Sequence, residues 1–435
     1  MTQTTNRRGF LQATAATGVG YWVAGGAQAA ESKSTNEQIQ FACIGIEGKG
    51  KSDSDNVRDH GRIAAICDVD TRKLEKAKSR KGFEDAKAYT DFREMLDQMG
   101  TRIDAVTVST PDHCHAPASV MAMKMNKHCF CQKPLTHSIS EARVMAQVAR
   151  ETGVATQMGN QHTAHAKMRK AAAMIRAGQI GTVQEVHVWT NRPVWPQGGE
   201  RPEPEPVPSN LNWDLWLGPA PYRPYGKGYH AFAWRGWWDF GTGALGDMAC
   251  HTCNLPFRAL DLRDPISVHA TSAGHNKDSY PEWSRIEFEF PATASRPALK
   301  MIWYDGGQTP DPQIFPEANH DRGVIFIGDR GKMFAGGDYA EGRHVWVLYD
   351  DVEPVDADYV RSPGHVAEWV RAIRGGEPAA SNFPDYAGPL TETILLGNLA
   401  VWSDKKVAWD AETMTADAPE LQAIVRREYR DGYSL

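Results

Sequence analysis

His251 is preceded by Asp247 in the segment Gly243-Ala244-Leu245-Gly246-Asp247-Met248-Ala249-Cys250-His251. On a helix this i, i+4 spacing places both side chains on one face. An imidazole has the right intrinsic pKa for shuttling protons, and the carboxylate can orient it or hold substrate hydroxyls. A second chemical feature is the turn Gly45-Ile46-Glu47-Gly48-Lys49-Gly50, which follows an apolar run over 41–46. Against the dinucleotide fingerprint GxGxxG, Gly45 and Gly50 match, while Glu47 takes the middle position that normally lets the backbone approach a pyrophosphate. The carboxylate there must turn away or find Lys49 or Lys51. Asp68 ends the next apolar run, 63–68, roughly 20 residues on, where an acid hydrogen-bonds ribose hydroxyls. Because it repels a 2′-phosphate, Asp68 favours NAD and leaves NADP possible.

Other clusters carry less chemistry. Seven cysteines is an odd number, which argues against a disulfide framework. Cys250-His251-Thr252-Cys253 and His113-Cys114-His115 have no matching second pair, so no metal is expected. Between Trp189 and Trp238 lie Trp195, Trp213, Trp216, Trp234 and Trp237, with Arg192, Tyr229, His230, Arg235 and Asp239 among them. Amphipathic rings beside polar groups suit a sugar ring, and the same rings would also pack an irregular insertion. Arg192, Trp195, Trp234, Arg235 and Trp238 are the substrate candidates. Pro193, Pro196, Pro202, Pro204, Pro206 and Pro208 mark the segment as loop.

Strand and helix patterns alternate around these residues. A continuous apolar run at 41–46 suits a strand buried on both faces, 63–68, 103–108 and 127–131 read as further strands, and helices are expected at 72–81, 91–99, 116–125 and 140–151, the last with apolar residues at helical spacing. That alternation implies an α/β fold with a doubly wound parallel sheet. Farther on, 183–188 and 284–290 alternate as half-buried strands should, and 323–328 and 345–348 add more.

With 435 residues, 41% apolar and 23% charged, the chain is an ordinary globular protein long enough for two or three domains. A net charge of −6 without a basic stripe excludes a typical nucleic-acid binder. Residues 1–29 read as an address. Asn6-Arg7-Arg8-Gly9-Phe10-Leu11 precedes a short weakly apolar stretch and the small-residue site Ala27-Gln28-Ala29, which resembles a twin-arginine (Tat) export signal. The stretch is too short for a membrane anchor, so the mature chain is expected in the periplasm. A periplasmic enzyme has no free nicotinamide pool, so any cofactor is expected to be held tightly.

Four further segments carry a family resemblance. Val108-Ser109-Thr110-Pro111-Asp112-His113-Cys114-His115 and Cys131-Gln132-Lys133-Pro134-Leu135-Thr136 resemble the strand-4 and Glu-Lys-Pro motifs of the Gfo/Idh/MocA oxidoreductases, with Gln132 where Glu is commoner. Gln157-Met158-Gly159-Asn160-Gln161 resembles the segment that closes their nucleotide domain, and 243–251 their Asp-x3-His helix. The resemblance implies an NAD(P)-binding Rossmann domain over 38–160. A C-terminal α/β domain over 161–435 would follow, with a large open, mostly antiparallel sheet that often mediates homo-oligomerisation. It implies catalytic roles for Lys133, Asp247 and His251, leaving open whether Lys133 or His251 is the acid/base. Cofactor contacts would come from Gly45, Glu47, Gly48, Lys49, Gly50, Asp68, Thr110, Pro111, His113, His115, Gln132, Lys133 and Asn160. For the two histidines, backbone hydrogen bonding at the helix start is the competing reading.

The expected activity is oxidation or reduction of a hydroxyl or keto group on a sugar or polyol. One alternative is a glycoside hydrolase that uses NAD only transiently, through a keto-sugar. The other is a non-catalytic sugar-binding protein, for which Glu47 is the main argument.

Overall fold

The computed structural model describes residues 38–315, 320–340, 347–349 and 353–435. The expected export signal, residues 1–29, lies outside them, as do Val345 and Trp346. Six strands, β1 (Ile39–Ile44), β2 (Gly61–Cys67), β3 (Lys87–Tyr89), β4 (Ala105–Val108), β5 (His128–Cys131) and β6 (Thr156–Met158), form one parallel sheet in the order β3-β2-β1-β4-β5-β6. The central strands are buried on both faces, as their continuous apolar runs require. Helices α1 (Lys49–Arg58), α2 (Thr71–Lys78), α3 (Phe92–Met99), α4 (His115–Lys124) and α5 (Ile139–Thr152) cross between them. β3 and β6 have three residues each, too few for periodicity to reveal.

Strand order reverses at β1, which pairs with β2 on one side and β4 on the other. A doubly wound sheet binds ligands at such a switch point, outside the carboxyl ends of its strands. Emerging there are Gly45 after β1, Asp68 after β2, Ser109-Thr110-Pro111 after β4 and Gln132-Lys133 after β5.

After α6 (Ala166–Arg176) a second sheet begins with β7 (Val183–Trp189). The insertion that follows is mostly irregular, apart from α7 (Trp213–Leu217), and leads to α8 (Gly243–Thr252) and α9 (Asn254–Leu260). The sheet continues through β8 (Ser267–Ser272), β9 (Ser284–Phe290), β10 (Leu299–Tyr304), β11 (Gly323–Gly328), β12 (Gly331–Gly336) and β13 (Val347–Tyr349). Beyond α10 (His365–Ile373) and α11 (Gly388–Ser403), β14 (Val407–Asp410) and β15 (Thr415–Ala416) complete nine strands, and α12 (Gln422–Val425) precedes the tail. The order is β13-β12-β11-β7-β10-β9-β8-β14-β15, antiparallel except for β7 with β10. The fold is therefore α/β, a Rossmann sheet followed by a large, mostly antiparallel one.

Helix α11 is apolar on nearly every face because it is packed on every face, against α5 of the first sheet's layer and β8, β9 and α8 of the second. On β9, buried Ile286, Phe288 and Phe290 alternate with Arg285, Glu287 and Glu289 on the outer face. There Lys300 pairs with Glu287 at 2.7 Å and Lys406 with Glu289 at 2.7 Å. Among the described residues no helix is long and apolar enough to cross a membrane.

The insertion owes its place to the tryptophans. Leu211, Trp213, Trp216, Tyr229, Trp237 and Phe240 belong to a small core of their own that also contacts Val69. The Thr71 N–H donates to Asn210 O and the Asn212 N–H to Val69 O, both at 2.9 Å. These bonds fasten the insertion beside Asp68.

Candidate active site

The switch point, the insertion, α8 and the C-terminal tail enclose one cleft of about 530 Å³. Its cofactor end is built from backbone. Gly45 has φ +76°, and a Cβ there would lie 2.4 Å from Ser109 O, so only glycine fits where β1 turns under β4. A Cβ on Gly50 would meet Gly45 O at 2.1 Å, which is why α1 can start so close to β1. Gly50 accordingly packs beneath the turn and does not line the cleft. A Cβ on Gly48 (φ +59°) would meet nothing, and Gly48 caps α1 without a side-chain hydrogen bond. The Gly50 N–H turns back to Glu47 O at 3.1 Å, and the open space over Gly48 lies at the positive end of α1, where a phosphate is favoured.

Glu47 satisfies neither expected partner. Its carboxylate pairs with Lys76 at 2.7 Å, because Lys49 and Lys51 are engaged along α1 by Asp53 (2.6 Å) and Asp55 (3.0 Å) at i, i+4. That pairing draws the charge toward α2. Asp68 is 8% exposed and accepts the N–H groups of Ile46 at 3.3 Å and Asp70 at 3.1 Å. Burial raises its pKa and nearby Lys73 opposes the rise. These residues fit an adenine dinucleotide: N–H donors for the pyrophosphate and a fixed carboxylate for a ribose.

Gln132 occupies its position for a reason visible around Asp53. The buried Asp53 carboxylate accepts from Lys49 Nζ at 2.6 Å, Ser109 Oγ at 2.8 Å and Gln132 Nε2 at 2.8 Å. An amide donates there and a carboxylate could not. Gln132 thereby ties β5 to α1 and the glycine turn.

At the middle of the cleft, Lys133 Nζ donates to Asp247 Oδ1 at 2.9 Å and to the Asp247 carbonyl at 2.7 Å, and Arg235 Nε donates to the same Oδ1 at 3.0 Å. Burial alone would raise the Asp247 pKa, yet the two cations hold it well below the carboxylate range. His251 lies one turn along α8. Burial, reinforced by Lys133, lowers its pKa well below the usual value, so the imidazole is neutral at neutral pH. Its Nδ1 is buried without a hydrogen-bond partner among the described residues, and the Tyr339 ring meets it edge-on at 4.7 Å. A neutral imidazole beside an ammonium held on a carboxylate can accept a hydroxyl proton while the ammonium steadies the oxygen.

Arg235 lies 4.2 Å over the Trp234 ring and 4.9 Å over Phe232, with Trp195 beyond at 5.7 Å. Arg192, Trp195, Trp234 and Arg235 all line the cleft, as do Thr110, Pro111, Gln132, Lys133, Asp247 and His251.

Besides Gly50, four expected contacts are not in the cleft. His113 is wedged between Phe240 O (3.1 Å) and Trp216 O (2.9 Å), and His115 between Pro134 O (2.8 Å) and Thr110 O (2.9 Å). Burial pushes their pKa values down to about 3 and about 4. They are struts, His113 to the insertion and His115 to the turn that carries Lys133. Asn160 is fully buried and accepts from Ser381 Oγ at 2.5 Å. Trp238 stacks on Tyr280 and meets the edge of Trp402, so it packs the core.

Asp112, Lys73, Tyr339 and Tyr433, which the sequence does not single out, also line the cleft, together with His230 from among the insertion's polar groups. Asp112 accepts from Thr242 Oγ1 at 2.6 Å, and burial raises it to about 7. An acid in the strand-4 segment was a visible signal. No local pattern marks Tyr433, which arrives with the tail: Arg93 lies 4.5 Å over its ring and donates to Gly432 O, while Arg430 pairs with Asp214 at 2.6 Å. Among the described residues no group of three or more His, Cys, Asp or Glu is placed to hold a metal, and all seven cysteines are buried and free.

Comparison with known proteins agrees with this geometry. Residues 39–160 match the Gfo/Idh/MocA family's NAD-binding Rossmann fold, and residues 180–296 match its C-terminal alpha/beta domain. Inositol 2-dehydrogenase of Rubrobacter xylanophilus is 29% identical over 121 residues, 27% of this chain and 33% of that protein. Myo-inositol 2-dehydrogenase of Thermotoga maritima is 25% identical over 160 residues, 36% and 47% of the two chains. The chain thus spans a third to just under half of these relatives. The WlbA dehydrogenase of Bordetella pertussis, solved with NADH and UDP-GlcNAcA, superposes with a TM-score of 0.61 at 16% identity, over 86% of this chain and 99% of that one. That likeness is one of fold.

Proposed function

This chain carries both domains of the Gfo/Idh/MocA oxidoreductase family, and from that premise we propose that it is an NAD(P)-dependent oxidoreductase acting on a hydroxyl or keto group of a sugar or polyol. The observation that carries the reading is the single cleft in which the glycine turn and Asp68 meet Lys133, Asp247 and His251. When bound, the nicotinamide supplies the two-electron redox chemistry. Lys133 and Asp247 orient the reacting oxygen, and neutral His251 accepts its proton in the direction of oxidation. The insertion and the tail exclude water by closing the cleft over Lys73, His230 and Tyr433. The sugar-binding alternative loses force with Glu47, whose charge is paired on Lys76.

We extend the proposal to a tightly retained cofactor, NAD before NADP, to twin-arginine export into the periplasm, and to self-association through the outer face of the second sheet. Support for retention is the roof formed by 211–240 and the tail. The test is to purify the protein, denature it and identify any released nucleotide by mass spectrometry. Near-stoichiometric NAD(H) or NADP(H) is the expected result, and no nucleotide with no binding on titration would overturn the reading. Substrate hydrolysis without net change in the nucleotide would favour the glycoside-hydrolase alternative.

A further inference from the structure

The charges at the substrate end do not balance. Lys133, Arg192 and Arg235 line it on the cationic side, and Asp247 is the acid bound directly among them. One Asp247 oxygen already accepts from both Lys133 and Arg235. Asp112, the other cleft acid nearby, is buried, and burial raises its pKa to about 7. Asp338, which senses the Arg192 charge, is held by Thr190 at 3.0 Å and Arg322 at 3.5 Å.

The two arginines retain donors. The Arg235 guanidinium is fixed against Trp234 and Phe232, with Nε on Asp247 and Nη1 donating to Phe232 O at 3.1 Å. Among the described residues Nη2 has no hydrogen-bond partner. Arg192, in the loop after β7, donates only to the neutral amide oxygen of Asn191 and makes no ion pair among the described residues. Its own backbone is anchored where its carbonyl accepts Gly306 N–H at 2.7 Å. A guanidinium presents a rigid planar fork that matches a carboxylate or a phosphate. Two such forks in an aromatic-walled cleft leave an excess of positive charge that attracts an anion. A bound oxidised nicotinamide would add a further positive charge.

We propose that the substrate is an anionic sugar or polyol, its carboxylate or phosphate held between Arg192 and Arg235 while a hydroxyl faces Lys133 and His251. The inference rests on the oxidoreductase reading for the chemistry of the hydroxyl, but the anion site is read from binding alone. Acid and neutral partners of one stereochemistry are compared by calorimetry on the purified holoprotein: D-glucuronate, D-gluconate and D-glucose 6-phosphate against D-glucose, and the corresponding galacto and manno sets.

The expected result is at least about tenfold tighter binding of one acid than of its neutral parent, weakening as sodium chloride is raised. The R192Q variant should shrink that ratio several-fold. Carboxylate and phosphate arms identify which anion the forks take. Equal or tighter binding of the neutral sugars, absence of binding by every acid, or a ratio unchanged in R192Q would overturn the proposal. Failure of the oxidoreductase reading would show separately, as a nicotinamide spectrum that no bound sugar perturbs.

Discussion

The two ends of the cleft are made differently. The cofactor end is backbone geometry with its charges cancelled locally: Lys49 on Asp53, Glu47 on Lys76, Lys73 near Asp68. The substrate end is side chains from distant segments, with cations left over. A backbone site tolerates changes in its flanking charges as long as the turn survives, which is how a carboxylate at position 47 coexists with a nucleotide turn. A side-chain site fails with one residue. Lys133 lies where the two meet.

Removing Lys133 should therefore have the largest effect. Lys133→Ala strips the reacting oxygen of its donor and leaves Asp247 with Arg235 alone, so kcat should fall by about 10³-fold, with bound nucleotide unchanged. Steady-state kinetics beside nucleotide content checks this, and a parallel loss of nucleotide would erase the distinction between the two ends. At the cofactor end, Gln132→Glu sets a second carboxylate against buried Asp53. A stability loss of about 2–3 kcal/mol is expected from the unpaired charge, read as a lower denaturant midpoint, together with weaker nucleotide retention.

Asp112→Asn sharpens the contrast through pH. Burial raises Asp112 to about 7, against an unfolded value near 3.9. Between those values the unfolded chain releases this proton and the native state keeps it, so folding stability falls as pH rises and the loss is complete above about 7. The wild type should lose more stability than Asp112→Asn across that window, by a few kcal/mol at most; identical pH profiles would remove the buried acid from the account. The smallest effect belongs to the tail. Tyr433→Ala should speed nucleotide release by about tenfold or less, the worth of one aromatic contact, measured by dilution into excess competing nucleotide.

How far the sequence discloses these regions follows from the same contrast. β1, its turn and Asp68 are contiguous, so apolar runs and glycine spacing reveal them, and the i, i+4 pair on α8 is equally local. The 183–188 and 284–290 alternations reveal two strands of the second sheet directly, whereas β3 and β6 are too short and Tyr433 too remote. His113 and His115 mislead because a histidine that braces two carbonyl groups has the same letter as one that touches a ligand. Among the tryptophans, Trp195 and Trp234 reach the cleft and Trp238 does not. Only the packing of the insertion decides between them.

The central claim is that a nucleotide held by the glycine turn is worked on by the side chains of α8 and β5. Mixing the purified protein with its sugar substrate and following the near-ultraviolet band of reduced nicotinamide, in wild type and His251→Ala at equal nucleotide content, tests it most directly. The account predicts a spectral change in the wild type that is slowed at least about a hundredfold in the variant. Equal rates in the two proteins would contradict it.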